Sequence, residues 1–186
     1  GINLSYEIKE SVMNAKHFGV PQNRERIYIV GFRNDLGIKN FSYPKPFERK
    51  VSFAEVKEEN VVSTKYYLST QYLITLRNHK ERHQSKGNGF GYNIIKDEEI
   101  AGAVVCGGMG RERNLVYDYR ITDFTPITKI KGVVNREGIR KMTPREWARL
   151  QGFPDNYVIP VADASAYKQF GNSVAVPAIQ ATANEI

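Results

Sequence analysis

Residues 142–154, MTPREWARLQGFP, constrain the fold more tightly than any other stretch of the chain. Thr143 suits a helix N-cap, Pro144 the first helical position and Glu146 the third, where its carboxylate can return to the cap backbone. Met142 and Trp147 fall on the two positions of a hydrophobic staple. Gly152 supplies the residue just past the C-cap and Pro154 stops further helix. Start, stop and staple agree. The spacing therefore predicts a two-turn helix with Trp147 and Leu150 inward and Arg145 and Arg149, four apart, on another face.

Elsewhere the pattern is of short strands separated by broken loops. Residues 6–12 and 27–32 are apolar or alternating runs rich in β-branched and aromatic side chains, which reads as two strands. Between them Gly19 and Pro21 interrupt any regular element, so Gln22, Asn23, Arg24, Glu25 and Arg26 lie on a loop running into the second strand. Over residues 42–59 the texture changes to Pro44, Pro46 and dense charge, a crossover into a different module. Residues 70–83 predict a basic helix, with Tyr72, Leu73 and Leu76 on its apolar side and Arg77, Lys80, Arg82 and Lys86 along or just past it. KGNGFGY (86–92) and CGGMGRER (106–113) are glycine loops, flanked by strand candidates at 92–95 and 103–106. The last segment, 173–186, suggests a helix from about Pro177 whose apolar residues need a partner.

Lys and Arg total 27 against 20 Asp and Glu, a net charge of +7, which favours an anionic partner such as nucleic acid. One cysteine excludes an intrachain disulfide framework and a cysteine-rich zinc site. His79 and His83 are one helical turn apart but lack a third ligand, so no metal site is expected. Residues 1–10 have neither the basic start nor the apolar run of a signal peptide, and no run reaches the ~18 apolar residues of a membrane span. The expectation is a soluble, cytoplasmic protein.

Arg24 and Arg26, two apart at the mouth of a strand, are expected to leave the same face with Glu25 opposite. Two guanidiniums on one face can clamp a phosphate, a carboxylate or a base carbonyl; the alternative is a solvated basic strand end. Cys106, the only thiol, follows an apolar run, where cysteine usually packs as a small hydrophobe. Neither glycine loop has the strand, G-x-G-x-x-G, helix context of a dinucleotide fingerprint. They read as loops carrying Asn88, Phe90, Tyr92, Arg111 and Arg113, donors and aromatics suited to a nucleic-acid groove, or as plain hairpin turns.

Three stretches together resemble the DNA cytosine-5 methyltransferase family. NAKHFGVPQNRERIYIVGF (14–32) is similar to its motif VIII, IRKMTPREWARLQGFPDNY (139–157) to motif IX, and FGNSVAVPAI (170–179) to motif X. They stand in the family's order, with a variable region where its target-recognition domain lies. The family's first half has no counterpart: there is no Phe-x-Gly-x-Gly loop, no Pro-Cys nucleophile and no Glu-Asn-Val. Cys106, in the variable region, does not match the nucleophile.

The resemblance implies an α/β fold. Residues 1–45 would be the last strands of a Rossmann-like, S-adenosyl-L-methionine-dependent domain, 46–155 a small, mixed, β-rich target-recognition domain, and 156–186 a return to the catalytic domain through the motif X helix. By the same resemblance Arg26, with Arg24 and Gln22, would serve the flipped cytosine, and Asn172 and Ser173 would line the cofactor pocket. Thr143, Arg145 and Arg140 match motif IX. The expected DNA contacts are Arg77, Lys80, Arg82, Lys86, Asn88, Phe90, Arg111, Arg113 and Arg140. The glycine loops are similar to recognition regions of bacterial enzymes that modify sites of the CCGG or CCNGG kind.

The chain is thus expected to be the C-terminal portion or subunit of a restriction-modification methyltransferase. It would act on double-stranded DNA, and would be inactive until joined to a half carrying nucleophile and cofactor loop. An apolar face on Val174, Val176 and Ile179 would be covered only by that half. A sequence-specific DNA-binding module without catalysis is the alternative, and a member of the family's RNA-methylating branch a third reading, from which the long basic variable region points away.

Overall fold

The computed structural model describes residues 5–47, 49–89, 91–107, 110–125 and 132–186. It opens with β1 (Tyr6–Asn14) and β3 (Glu25–Arg33), which form an antiparallel pair from Tyr6 opposite Arg33 to Asn14 opposite Glu25. The link between them begins with a 3-10 turn, Ala15–Phe18, capped by Asn14 and closed by Gly19 at φ 88°, a conformation that favours glycine. The two-residue β2 (Gln22–Asn23) then follows. It pairs in parallel with β5 (Ala101–Gly102), far along the chain.

A second sheet joins β4 (Asn93–Ile95), β6 (Asn114–Tyr117) and β7 (Ile139–Lys141) in the order β4-β6-β7, parallel then antiparallel. The basic helix is α1 (Thr70–Gln84), capped by Ser69, which accepts from the Tyr72 N–H. Its Leu73 and Leu76 are buried with Leu68, Leu115 and Ile139 against the sheet. A single turn, α2 (Gly110–Arg113), immediately precedes β6. Strands of two to four residues beside a fifteen-residue helix make this region mixed, with less strand than the mixed, β-rich domain the sequence suggested.

The expected capped helix is α3 (Pro144–Leu150). Thr143 accepts from the Glu146 N–H and Glu146 accepts from the Thr143 N–H, completing the box. At the other end the Gly152 N–H reaches Arg149 O and the Phe153 N–H reaches Ala148 O, the paired bonds of a Schellman motif, with Gly152 at φ 79°. Met142 and Trp147 are both buried in one cluster with Phe53, Val104, Val116, Leu150, Tyr167 and Phe170. Tyr167 and Phe170 come from α4 (Asp163–Asn172), a helix the sequence reading did not resolve.

The last helix, α5 (Val176–Asn184), starts one residue before Pro177. Ala175 and Ala178 pack with Met13, Phe18, Val20 and Tyr28 at the root of the hairpin. Val174 and Ile179 are exposed and Val176 is half-buried. The outer face of the hairpin is also bare: Ile8, Val12, Ile27 and Ile29 are each about 60% exposed or more. No helix among the described residues is long and apolar enough to cross a membrane.

Candidate functional site

The loop into β3 changes partners at Arg24, and that change separates the two arginines. Residues 22–23 pair with β5, whereas residue 25 onward pairs with β1, so the alternation of side chains does not carry across residue 24. Arg26 emerges into solvent, with Nη1 donating to Glu25 O at 2.6 Å. Arg24 turns inward and is only 4% exposed. The expected same-face clamp is therefore corrected: Arg26 alone is presented.

Inside, Arg24 Nη1 donates to Val104 O at 2.6 Å, and Nη2 to Gly171 O at 3.1 Å and Ser173 O at 2.8 Å. No carboxylate pairs with it among the described residues, and burial, then the nearby Arg26 charge, bring its pKa down to about 10. It remains a cation at neutral pH. Gln22 is fully buried; its Nε2 donates to Leu150 O at 2.8 Å and its Oε1 accepts from the Val104 N–H at 2.9 Å. Gln22 and Arg24, grouped with Arg26 by the resemblance, are thus both withdrawn from the surface. Both side chains are committed to backbone groups.

The same contacts explain why no strand forms over 103–106. Beyond Gly102, both backbone groups of Val104 are satisfied by Gln22 and Arg24 side chains instead of by a neighbouring strand. The chain continues to Cys106, which is exposed and whose thiol donates to Asn172 Oδ1. Asn172 is itself exposed, and the half-buried Ser173 donates its hydroxyl to Phe170 O at 2.9 Å. A cavity of about 320 Å³ lies beside this junction, lined by Val105, Cys106, Arg111, Trp147, Tyr167 and Lys168 among others. The Arg111 guanidinium sits 5.8 Å from the centre of the Tyr167 ring.

Of the expected DNA contacts, Arg140 lies in the interior and not on the surface. It has no exposure and is held by Glu146 and by Asp118, at 2.7 and 2.9 Å. Burial works against its charge, but the two carboxylates more than offset this and hold the pKa above the usual arginine value. The spacing gave no sign of the network because Asp118 lies 22 residues away in sequence. Arg77 is half-buried and paired with Glu137, and Lys80 donates to Tyr92 O and lies over the Tyr92 ring. Arg82, Lys86, Asn88, Arg111 and Arg113 are exposed. Phe90 lies outside the described residues. The His79 and His83 rings meet at a tilt, with centroids 4.3 Å apart, and no metal-binding cluster occurs among the described residues.

Comparison with known proteins decides what this arrangement belongs to. The model of the C-5 cytosine-specific DNA methylases matches residues 2–186. The chain belongs to this family. It is 73% identical over 185 residues to the Type II methyltransferase M.HpaII of Haemophilus parainfluenzae, covering 99% of this chain and 52% of that protein. With M.HhaI of Haemophilus parahaemolyticus it shares 33% over 190 residues, 98% of this chain and 54% of the relative. It thus spans about half the length of the curated relatives it matches. Among solved structures it is similar in fold to the Entamoeba histolytica methyltransferase EhMeth, with a TM-score of 0.67 and 18% identity over 97% of this chain and 52% of the other. Dnmt2 of S. pombe gives a TM-score of 0.65 at 16% identity, over 96% and 56%. The mixed α/β fold is that of DNA methyltransferases, whose family uses S-adenosyl-L-methionine as methyl donor.

Proposed function

We propose that this chain is the target-recognition and C-terminal portion of a DNA cytosine-5 methyltransferase of a restriction-modification system. It would work with a half that carries the thiol nucleophile and the cofactor loop, and be inactive without it. The observation that carries this reading is the exposed Arg26 at the start of β3 in the motif VIII stretch, just after two buried side chains that fix that stretch: Arg24, bonded to Gly171 O and Ser173 O of motif X, and Gln22, bonded to Leu150 O of motif IX. In a cytosine pocket Arg26 would offer its guanidinium to the O2 side of the flipped base, offsetting charge that develops in the ring.

Asn172 and Ser173 fit the rim of a cofactor pocket. Ser173 O is taken by Arg24 inside, while the Asn172 carboxamide faces solvent. A neutral amide and a hydroxyl suit the doubly charged amino-acid end of S-adenosyl-L-methionine. When bound, that molecule supplies the methyl group. Two residues cannot enclose it, which accords with a second half providing the remaining wall. The bare outer face of the hairpin, Ile8, Val12, Ile27 and Ile29, with Val174 and Ile179, offers that half an apolar seat.

DNA would lie on the basic surface formed by Arg82, Lys86, Asn88, Arg111 and Arg113, with Arg111 and Arg113 reading guanine in a GC-rich site. The test is to combine the chain with the nucleophile-bearing half of a close relative and follow labelled methyl transfer into duplex DNA. Activity from the mixture and from neither part alone is expected. Activity from this chain alone, or none from the mixture despite specific DNA binding, would favour another reading.

A further inference from the structure

Three segments that are remote in sequence meet at Arg24. One carries Arg26. The second is the arm 104–106, whose Val105 packs against Gly110 at the start of α2, the turn of helix that carries Arg111 and Arg113, and the third is 171–173, the turn where α4 ends. One guanidinium bonds the last two at once, through Val104 O on one side and Gly171 O and Ser173 O on the other. The arm and the turn are also in direct contact. A Cβ on Gly171 would lie 2.6 Å from the Cys106 nitrogen and 2.9 Å from the Val105 carbonyl carbon, so only glycine lets the two backbones approach this closely. The thiol of Cys106 adds a bond to Asn172.

A buried cation without a carboxylate partner is a poor device for stability alone, since a well-packed apolar side chain avoids its desolvation cost. A planar fork that spans two segments does something an apolar side chain cannot: it ties the position of one to the position of the other. If guanine contact at Arg111 and Arg113 shifts the arm, Val104 O moves, and Arg24 keeps its bonds only if the turn moves in step.

Resting on the reading of the arm as part of the recognition region and of the turn as the cofactor rim, we propose that Arg24 is a positioning residue that couples the two. Cognate DNA and cofactor then raise each other's affinity through it, and equally, because the coupling is reciprocal. DNA held by phosphate contacts alone does not engage the arm and gains nothing from the cofactor.

The experiment uses the complete methyltransferase, with this chain joined to its nucleophile-bearing half. Fluorescence anisotropy of a labelled duplex gives DNA affinity with and without S-adenosylhomocysteine, the cofactor's unreactive product. The wild-type ratio is expected to fall in the range of about 5 to 150 for a duplex that the enzyme methylates, typical of coupled sites, and near 1 for one it does not. Arg24→Gln, which removes the fork, should bring the cognate ratio to within about twofold of 1, and Arg24→Lys, which keeps charge without the fork, should also lower it. A merely structural role would lower thermal stability and leave the ratio in the folded fraction unchanged. That outcome overturns the proposal, as does a wild-type ratio of 1. If Arg24→Gln does not fold, Cys106→Ala removes the thiol link at an exposed position and should reduce the ratio several-fold; an unchanged ratio there is equally contrary. A wild-type enzyme that neither binds S-adenosylhomocysteine nor methylates any duplex would instead remove the functional reading itself.

Discussion

Arg140 and Glu146 face each other in a two-point contact, Nη1 to Oε2 at 2.8 Å and Nη2 to Oε1 at 2.7 Å, with neither side chain exposed. The same carboxylate closes the capping box of α3 through the Thr143 N–H and accepts the Glu58 N–H at 3.0 Å. Arg140 also holds Asp118. A signal that reads locally as a helix start is thus the centre of a buried network joining α3, β7 and the loop after β6.

Removing Arg140 leaves the buried Glu146 without the cation that pairs with it, while Asp118 keeps Arg120. Arg140→Met should destabilise the protein by about 3–5 kcal/mol, the usual cost of breaking a buried pair from one side. Arg140→Met with Glu146→Gln should recover part of that loss. Denaturant unfolding of the three proteins checks this, and an Arg140→Met variant within about 1 kcal/mol of wild type would show that the network is not structural.

The pH dependence follows from Asp118. Burial alone would raise its pKa, but hydrogen bonds from Arg120 and Arg140 hold it well below the ordinary carboxylate value. A carboxylate depressed in the folded state contributes stability that is fully present above its unfolded pKa of about 3.9 and is lost as pH falls through the folded value. Wild type should therefore weaken progressively below about pH 4, and Asp118→Asn, less stable at pH 7, should show a flatter acid limb. Thermal unfolding from pH 7 down to 3 measures the difference; parallel curves would place the acid sensitivity elsewhere.

The basic surface divides by what each side chain is free to do. Lys86 is exposed, so Lys86→Ala in the complete enzyme should weaken all duplexes alike and reduce the salt slope of binding by about 1. Arg111→Ala and Arg113→Ala should relax base preference, each at a cost of about 1–3 kcal/mol against the cognate site. Arg77, already bound to Glu137, should matter less than Lys86. Binding titrations over several salt concentrations and two duplex sequences separate these classes, and equal losses on both duplexes from every substitution would defeat the division.

Local chemistry made much of this fold readable. The cap, staple and closing glycine of α3 are all within thirteen residues, and the amphipathic spacing of α1 needs only Leu73 and Leu76 on one side. The hairpin strands were visible in their alternation, although their exposed rows gave no hint that the outer face would stay bare. What escaped was long-range. Arg24 and Arg26 look equivalent by spacing, and only the switch of strand partners from β5 to β1 turns one inward. Arg140 reads as a surface cation because its partner Asp118 lies in another element, and the strand expected at 103–106 is replaced by side-chain bonds from residues some eighty positions earlier. The motif resemblance identified the family, but it could not tell a residue that faces substrate from one that holds the frame.

The central claim is that this chain supplies the exposed arginine of a cytosine pocket. Single-turnover methyl transfer by the complete enzyme, comparing wild type with Arg26→Ala at saturating DNA and S-adenosyl-L-methionine, tests it most directly. Loss of a single donor to developing charge predicts a rate lower by about 10²–10³-fold, with folding and duplex affinity retained and 5-methylcytosine as the residual product. An Arg26→Ala enzyme that methylates as fast as wild type would contradict the account.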